Sequence, residues 1–170
     1  MSDVSIRRAV EADLDFLVDT LTHDEVRPYL AAGRSIDRET LRAELEEQAS
    51  DPGALGRFVV ELDGEPAATL AFERLNVRSR IARCGGLAVH PRFRGRRLAD
   101  TAARLFQRHL LLDLGFHRLQ LEIYGFNERA IEHAERAGFI LEGRKRKAYW
   151  RHDQWVDGVL FGLVLEDLDD

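Results

Sequence analysis

The sequence predicts a mixed α/β fold, and the order of its hydrophobic patterns is the main reason. One strand and two helices come first, three strands follow in succession, and helices and strands then alternate, giving β-α-α-β-β-β-α-β-α-β-β. The three consecutive strands are joined in part by Asp63-Gly64, a hairpin signal, so the middle third reads as an antiparallel meander. With 170 residues, no internal repeat and no low-complexity linker, the chain fits one domain spanning 1–170.

Val4 to Val10 alternates weakly and reads as the first strand. Glu11 to Leu21 carries Leu14, Leu17, Val18 and Leu21 at helical spacing. Pro28 and Gly33 mark a break. Asp37 is placed to cap a second helix with Leu41 and Leu45 on its apolar face, and Asp51-Pro52-Gly53 ends it. Arg57 to Leu62, Pro66 to Leu75 and Arg80 to Val89 are the meander strands. The helix from Leu98 to Leu114 sets Leu98, Ala102, Leu105, His109 and Leu112 on one stripe, with Gly115 as its C-cap residue. Leu119 to Ile123 alternates as a strand, Asn127 to Ala137 is a short helix stopped by Gly138, and Phe139 to Gly143 and Trp155 to Leu165 are the closing strands.

Composition narrows the function classes. The formal net charge of -5 argues against a nucleic-acid partner by bulk electrostatics. Cys84 is the only cysteine, so an intrachain disulfide is excluded, which fits a reducing cytoplasm. No apolar run approaches the ~20 residues that cross a bilayer, and no signal-like segment opens the chain, so no membrane partner is expected.

The stretch Val89-His90-Pro91-Arg92-Phe93-Arg94-Gly95-Arg96-Arg97-Leu98-Ala99 stands out. It joins a strand to a helix through a loop carrying one glycine and four arginines. Unpaired N–H groups and the helix dipole make a helix N-terminus an anion site, and a basic loop in front of it suits a phosphorylated ligand.

The loop, in this order of elements, resembles the GNAT superfamily of acyl-CoA-dependent N-acetyltransferases. The family signature is Gln/Arg-x-x-Gly-x-Gly/Ala; Arg94 and Ala99 match it, and Arg97 stands where glycine is usual. Gly115-Phe116-His117-Arg118-Leu119 with Asn127-x-x-Ala130, and Ala137-Gly138-Phe139-x-x-Glu142-Gly143 with Asp157, are similar to the RimJ/RimL-like branch. The resemblance implies a central, twisted, mostly antiparallel sheet flanked by helices, with acetyl-CoA as cosubstrate and no metal. It implies that the amides of Arg94, Gly95, Arg96, Arg97, Leu98 and Ala99 hold the pyrophosphate. Leu87, Ala88 and Val89 would pair with the pantetheine arm, with Asn127 beside it. The acetyl group would lie where the strands ending at Val89 and near Tyr124 part. The acceptor is a primary amine of a peptide N-terminus, a polyamine or a small metabolite. A homodimer through the C-terminal strands is compatible with the branch. A CoA-binding module of the same fold without catalysis is the alternative.

An attacking amine must be neutral, whereas an alkylammonium has a pKa of about 10, so a proton acceptor is needed. The family's usual acid, a tyrosine seven residues after Asn127, is Ala134 here, and the branch's serine is Ala130. The remaining catalytic candidates are Glu122, Tyr124 and Glu73. Each has a bland alternative as a strand carboxylate or rim tyrosine. His133 reads as a surface residue, Cys84 as a small buried hydrophobe, and Arg144 to Lys147 as a solvated face. Tyr149, Trp150 and Trp155 line the acceptor pocket or pack at its rim.

Overall fold

The computed structural model describes residues 1–31 and 35–168; Gly33, part of the expected break, lies outside the described residues. Seven strands, β1 (Val4–Arg8), β2 (Leu55–Leu62), β3 (Glu65–Asn76), β4 (Ile81–Val89), β5 (Arg118–Tyr124), β6 (Ile140–Arg151) and β7 (Gln154–Val164), form one sheet in the order β1-β2-β3-β4-β5-β7-β6. Every neighbouring pair is antiparallel except β4 and β5. The helices are α1 (Leu14–Leu21), α2 (Arg38–Ser50), α3 (Leu98–Arg108) and α4 (Glu128–Arg136). Among the described residues no helix is long and apolar enough to cross a membrane.

Two apolar clusters sit on opposite faces of the sheet. Leu14, Leu17 and Leu21 of α1 and Leu41 and Leu45 of α2 pack with Val59 and Ala88 on one face. Leu98, Ala102 and Phe106 of α3 and Ala134 of α4 pack with Phe58, Phe72, Leu119 and Phe161 on the other. Asp37 caps α2 as its sequence implies, its carboxylate accepting from Thr40 N–H at 2.8 Å.

Four boundaries differ from the sequence expectation, each for a local reason. The first strand ends at Arg8 because Val10 N–H turns to the Asp13 carboxylate at 2.8 Å. Asp13 N–H in return donates to Val10 O at 2.9 Å, closing a 3₁₀ turn over Glu11–Asp13, and α1 begins only at Leu14. The stripe expected on α3 holds at Leu98 and Ala102 and then rotates. Ala103, Phe106, Gln107, Leu110 and Leu111 are buried, while Leu112 is 50% exposed. The helix finishes in a π turn, His109–Asp113, in which Leu114 N–H reaches His109 O at 3.0 Å. The departure from the expected stripe begins before that turn: Leu98, Ala102, Phe106 and Leu110 recur every four residues, as do Ala103, Gln107 and Leu111, which is an ordinary helical face one position beyond Leu105 and His109. Finally, β6 does not stop at Gly143 but runs to Arg151 as an exposed edge strand. With neither face covered, it carries little hydrophobic alternation to read.

Candidate active site

The parting of β4 from β5 makes the site. These parallel strands pair only at Ile81–Arg83 with Arg118–Gln120. Beyond that point β4 stays with β3 and β5 stays with β7. A register shift in β4 adds to the opening: Thr69 faces Ala88 and Ala71 faces Gly85, so two residues of β4 stand opposite Leu70 alone. A bulge of this kind leaves backbone groups outside the ladder and re-aims the strand. The resulting cleft has a volume of about 2640 Å³, and every residue singled out from sequence for cofactor binding or catalysis lines it.

One end of the cleft is the basic loop. His90 anchors it by accepting from Arg92 N–H at 3.2 Å and meeting Asp19 at 2.8 Å through its other nitrogen, while Phe93 is buried beneath. Gly95 has φ +78° and Arg97 has φ +53°, so two residues of the loop are left-handed. Turns of this sort gather backbone N–H groups on one concave side. Arg97 is also the N-cap of α3 and makes no side-chain cap bond, which leaves the first-turn amides available. A Cβ built on Gly95 meets nothing within 4 Å. Glycine is demanded there by backbone conformation, not by space. These features fit a diphosphate: exposed amides, an uncapped helix N-terminus and open room in front of it.

The arginines of the loop are not equivalent. The guanidinium of Arg94 turns to the segment after α1, donating to Glu25 O at 3.1 Å and lying 3.6 Å from the Glu25 carboxylate. Arg92 pairs with Glu65 and stacks on the Phe93 ring, and Arg96 also lies over that ring. Arg97 is exposed and shows no ion pair among the described residues.

Alternation along β5 separates two faces. Leu119, Leu121 and Ile123 pack on the α3 and α4 side, which turns Gln120, Glu122 and Tyr124 to the other. There the Glu122 carboxylate accepts from the Tyr149 hydroxyl and from Lys145 Nζ, the latter at 3.1 Å. The bond from Tyr149 to Glu122 raises the phenol above its ordinary value, with burial adding to it. Tyr124 stacks on Phe126 at 5.4 Å and meets the Tyr149 ring edge-on at 5.6 Å. Arg151 covers the Tyr124 ring at 5.0 Å and also donates to Pro28 O and Leu30 O, tying β6 to the segment before α2. Tyr29, Phe126 and His152 continue this aromatic rim. Glu73 lies across the cleft on β3, paired with Arg83 at 2.8 Å.

The other candidates fall as follows. The Asn127 side chain accepts from Ala130 N–H at 3.3 Å and so caps α4 while lining the cleft. Ala134 is 3% exposed and packed in the core, so its position offers no polar group. His133 is not a surface residue. It turns toward the start of α3, with Nε2 3.3 Å from the Asp100 carboxylate but not aligned for a hydrogen bond, and burial lowers its pKa below the ordinary value. Cys84 is half-buried and lines the cleft instead of sitting in the core, and desolvation pushes its thiol up to about 12, which keeps it protonated. Trp150 lines the cleft rim and stacks edge-on against Trp155, which does not line it. Among the described residues no group of three or more His, Cys, Asp or Glu could hold a metal ion. Sequence reasoning missed Lys145 and the Tyr29, Phe126 and Arg151 rim, because the partners lie far apart along the chain.

Known proteins resemble this chain in fold and, over part of its length, in sequence. The spermidine N-acetyltransferase of Vibrio cholerae, solved with CoA and spermine, superposes with a TM-score of 0.86 at 19% identity, covering 96% of both chains. In sequence, the chain is 30% identical over 103 residues to the spermidine N(1)-acetyltransferase of Escherichia coli K12, covering 61% of this chain and 55% of that protein. It is 30% identical over 83 residues to the prophage-derived uncharacterized N-acetyltransferase YokL of Bacillus subtilis, covering 49% and 47%. The chain thus spans about half the length of these sequence relatives. The model of the acetyltransferase (GNAT) family matches residues 18–139, from α1 through the cofactor loop to the end of α4, and the chain belongs to that family.

Proposed function

We propose that the protein transfers an acetyl group from acetyl-CoA to a primary amine of a small polycation of the spermidine class. The observation that carries this reading is one cleft with two different ends. Its β4 side leads to a left-handed, basic loop before an uncapped helix, and its β5 side presents the Glu122 carboxylate among aromatic rings. The first end suits a diphosphate and the second an ammonium, since carboxylates and π faces both attract cations. The named relatives that act on spermidine support the same acceptor class. The RimJ/RimL-like motifs favour a peptide N-terminus instead, and that acceptor is the competing reading.

Acetyl-CoA supplies an activated thioester carbonyl when bound. The amides of residues 94–99 hold its diphosphate, and the backbone of Leu87, Ala88 and Val89 aligns the arm in the cleft with Asn127 opposite. Glu122 takes a proton from the acceptor ammonium, and backbone N–H groups freed by the β4 bulge polarise the carbonyl. Tyr124 stands at the same strand end to return a proton to the departing thiolate. Glu73 contributes a wall of the acceptor side, its charge balanced by Arg83. The buried Ala134, where the family's usual acid is missing, and Ala130, where the branch's serine is missing, favour a binding module without catalysis.

A thiol-release assay with spermidine, spermine and an N-terminal tripeptide tests these readings. Turnover on the polyamines and a large loss in Glu122→Gln are expected. Preference for the peptide overturns the acceptor class, and tight CoA binding without any turnover supports the module.

A further inference from the structure

We propose that Lys145 occupies the acceptor's ammonium position on Glu122 in the amine-free protein, so that an incoming cation must displace it. The inference rests on the reading of Glu122 as the carboxylate that receives the acceptor. Lys145 Nζ lies 3.1 Å from Glu122 Oε2, where an acceptor nitrogen needs to arrive to lose its proton, while Oε1 is taken by Tyr149. Glu122 in turn holds Lys145 above its ordinary pKa, so the side chain is a full cation at neutral pH.

The strand is shaped to bring this lysine in. Lys145 faces Gly158 of β7 while Tyr149 faces Val156, so three residues of β6 stand opposite Asp157 alone. The bulge is pinned from that side. The Asp157 carboxylate accepts from Lys147 N–H at 2.7 Å and pairs with Arg144 at 3.0 Å, and Lys147 itself is left-handed at φ +49°. Arg144 is thereby held away, and Lys145 is the cation delivered to Glu122. Gly158 lies under the arrangement, because a Cβ there would come within 2.2 Å of Glu122 Oε1 and 2.8 Å of the Tyr149 ring. The lysine side chain is 49% exposed, so it can swing out to solvent when a competing cation enters.

A resident cation sets a threshold on acceptor affinity. Acceptors that are charged before reaction must give a proton to Glu122 and so replace an ion pair already made, whereas acceptors uncharged at the assay pH have no proton to lose before attack and can leave that pair in place. Steady-state kinetics of the full chain separate these cases, with spermidine and a weakly basic arylamine as acceptors. Lys145→Met is expected to lower KM for spermidine by about two- to fivefold, the size of a half-exposed ion pair, with kcat within about twofold. KM for the arylamine should stay unchanged, and Lys145→Arg should keep the spermidine KM of the parent protein. In a Glu122→Gln background, Lys145→Met should add nothing. An unchanged or higher spermidine KM in Lys145→Met overturns the proposal, as does an equal fall for both acceptors, which is steric widening. If Glu122→Gln alone leaves kcat intact, the reading of Glu122 fails, and this inference with it. If Glu122→Gln is impaired and Lys145→Met has no effect on KM, only the role of Lys145 fails.

Discussion

Gly158→Ala is the sharpest perturbation of the acceptor side, because it moves Glu122 without touching its chemistry. The added Cβ would lie 2.2 Å from Glu122 Oε1, 3.1 Å from Glu122 Cδ and 2.8 Å from Tyr149 Cε2. To regain even the 3.0 Å that real Cβ contacts keep, the carboxylate must retreat by about 0.8 Å and the ring must shift with it. Both are ends of side chains at a half-open cleft, so the strand ladder is spared and the fold should survive. A displacement approaching 1 Å at a reacting group costs on the order of 10²-fold in rate, equivalent to about 2.7 kcal/mol of barrier. The expected result is therefore a kcat/KM for spermidine reduced by about 100-fold, measured as thiol release, with CoA affinity by calorimetry unchanged. The comparison that matters is with Glu122→Gln, which should be impaired to a similar degree through chemistry instead of position. A Gly158→Ala protein that folds, binds CoA and keeps kcat/KM within threefold of the parent refutes the assignment of Glu122.

Three further outcomes follow from the loop and the N-terminal ion pair. Gly95→Val puts a branched side chain at φ +78°; with open space around it, the penalty is in the backbone, and CoA affinity by calorimetry should fall at least tenfold with little change in kcat at saturation. Arg97→Gly removes a left-handed cost of about 1–2 kcal/mol. It also gives back about 0.4–1 kcal/mol through the freer unfolded chain. Thermal unfolding should thus show Tm raised by a few degrees, and a lower Tm contradicts the strain. For Asp13, burial opposes ionisation, but Arg7 and Val10 N–H outweigh it and hold the carboxyl below its ordinary 3.8. The unfolded chain therefore takes up the proton first, so this stability is full above about pH 5 and is lost as pH falls through the folded value. Urea unfolding at pH 7 and pH 3 should show a smaller acid loss in Asp13→Asn than in the parent.

What the sequence disclosed depended on how local the signal was. The strand, basic loop and helix that line one end of the cleft were legible because they are contiguous and the arginines and glycine lie within eleven residues. The alternation of Leu119, Leu121 and Ile123 likewise told which face Glu122 takes, since a strand has period two. The stripe on α3 was misread past Ala102 because Leu105 and Phe106 are adjacent apolar residues at helical spacings of three and four, and the pattern alone does not choose between them. β6 was cut short because an edge strand with both faces wet has no alternation. Lys145 read as a solvated charge because its partner, Glu122, is 23 residues away and reaches it only across β7. The rim was hidden more deeply, since Arg151 meets Pro28 across 123 residues.

Arg97 shows how a departure from a family pattern is reconciled with the geometry. The position usually held by glycine is left-handed here, so glycine is favoured for its backbone and not for its lack of a side chain. Any other residue bears a cost of about 1–2 kcal/mol there and nothing worse, provided its side chain has somewhere to go. Arg97 has: it is exposed and points out of the fold at the first turn of α3. A cation at a helix N-terminus is normally unfavourable against the dipole. Next to a diphosphate held as proposed the sign would reverse, because an anion placed between the helix amides and the guanidinium would attract both. The strain and the dipole penalty are then borne by the free protein, and the bound state relieves the second. On this proposal the arginine weakens the empty loop relative to glycine and would strengthen the occupied one.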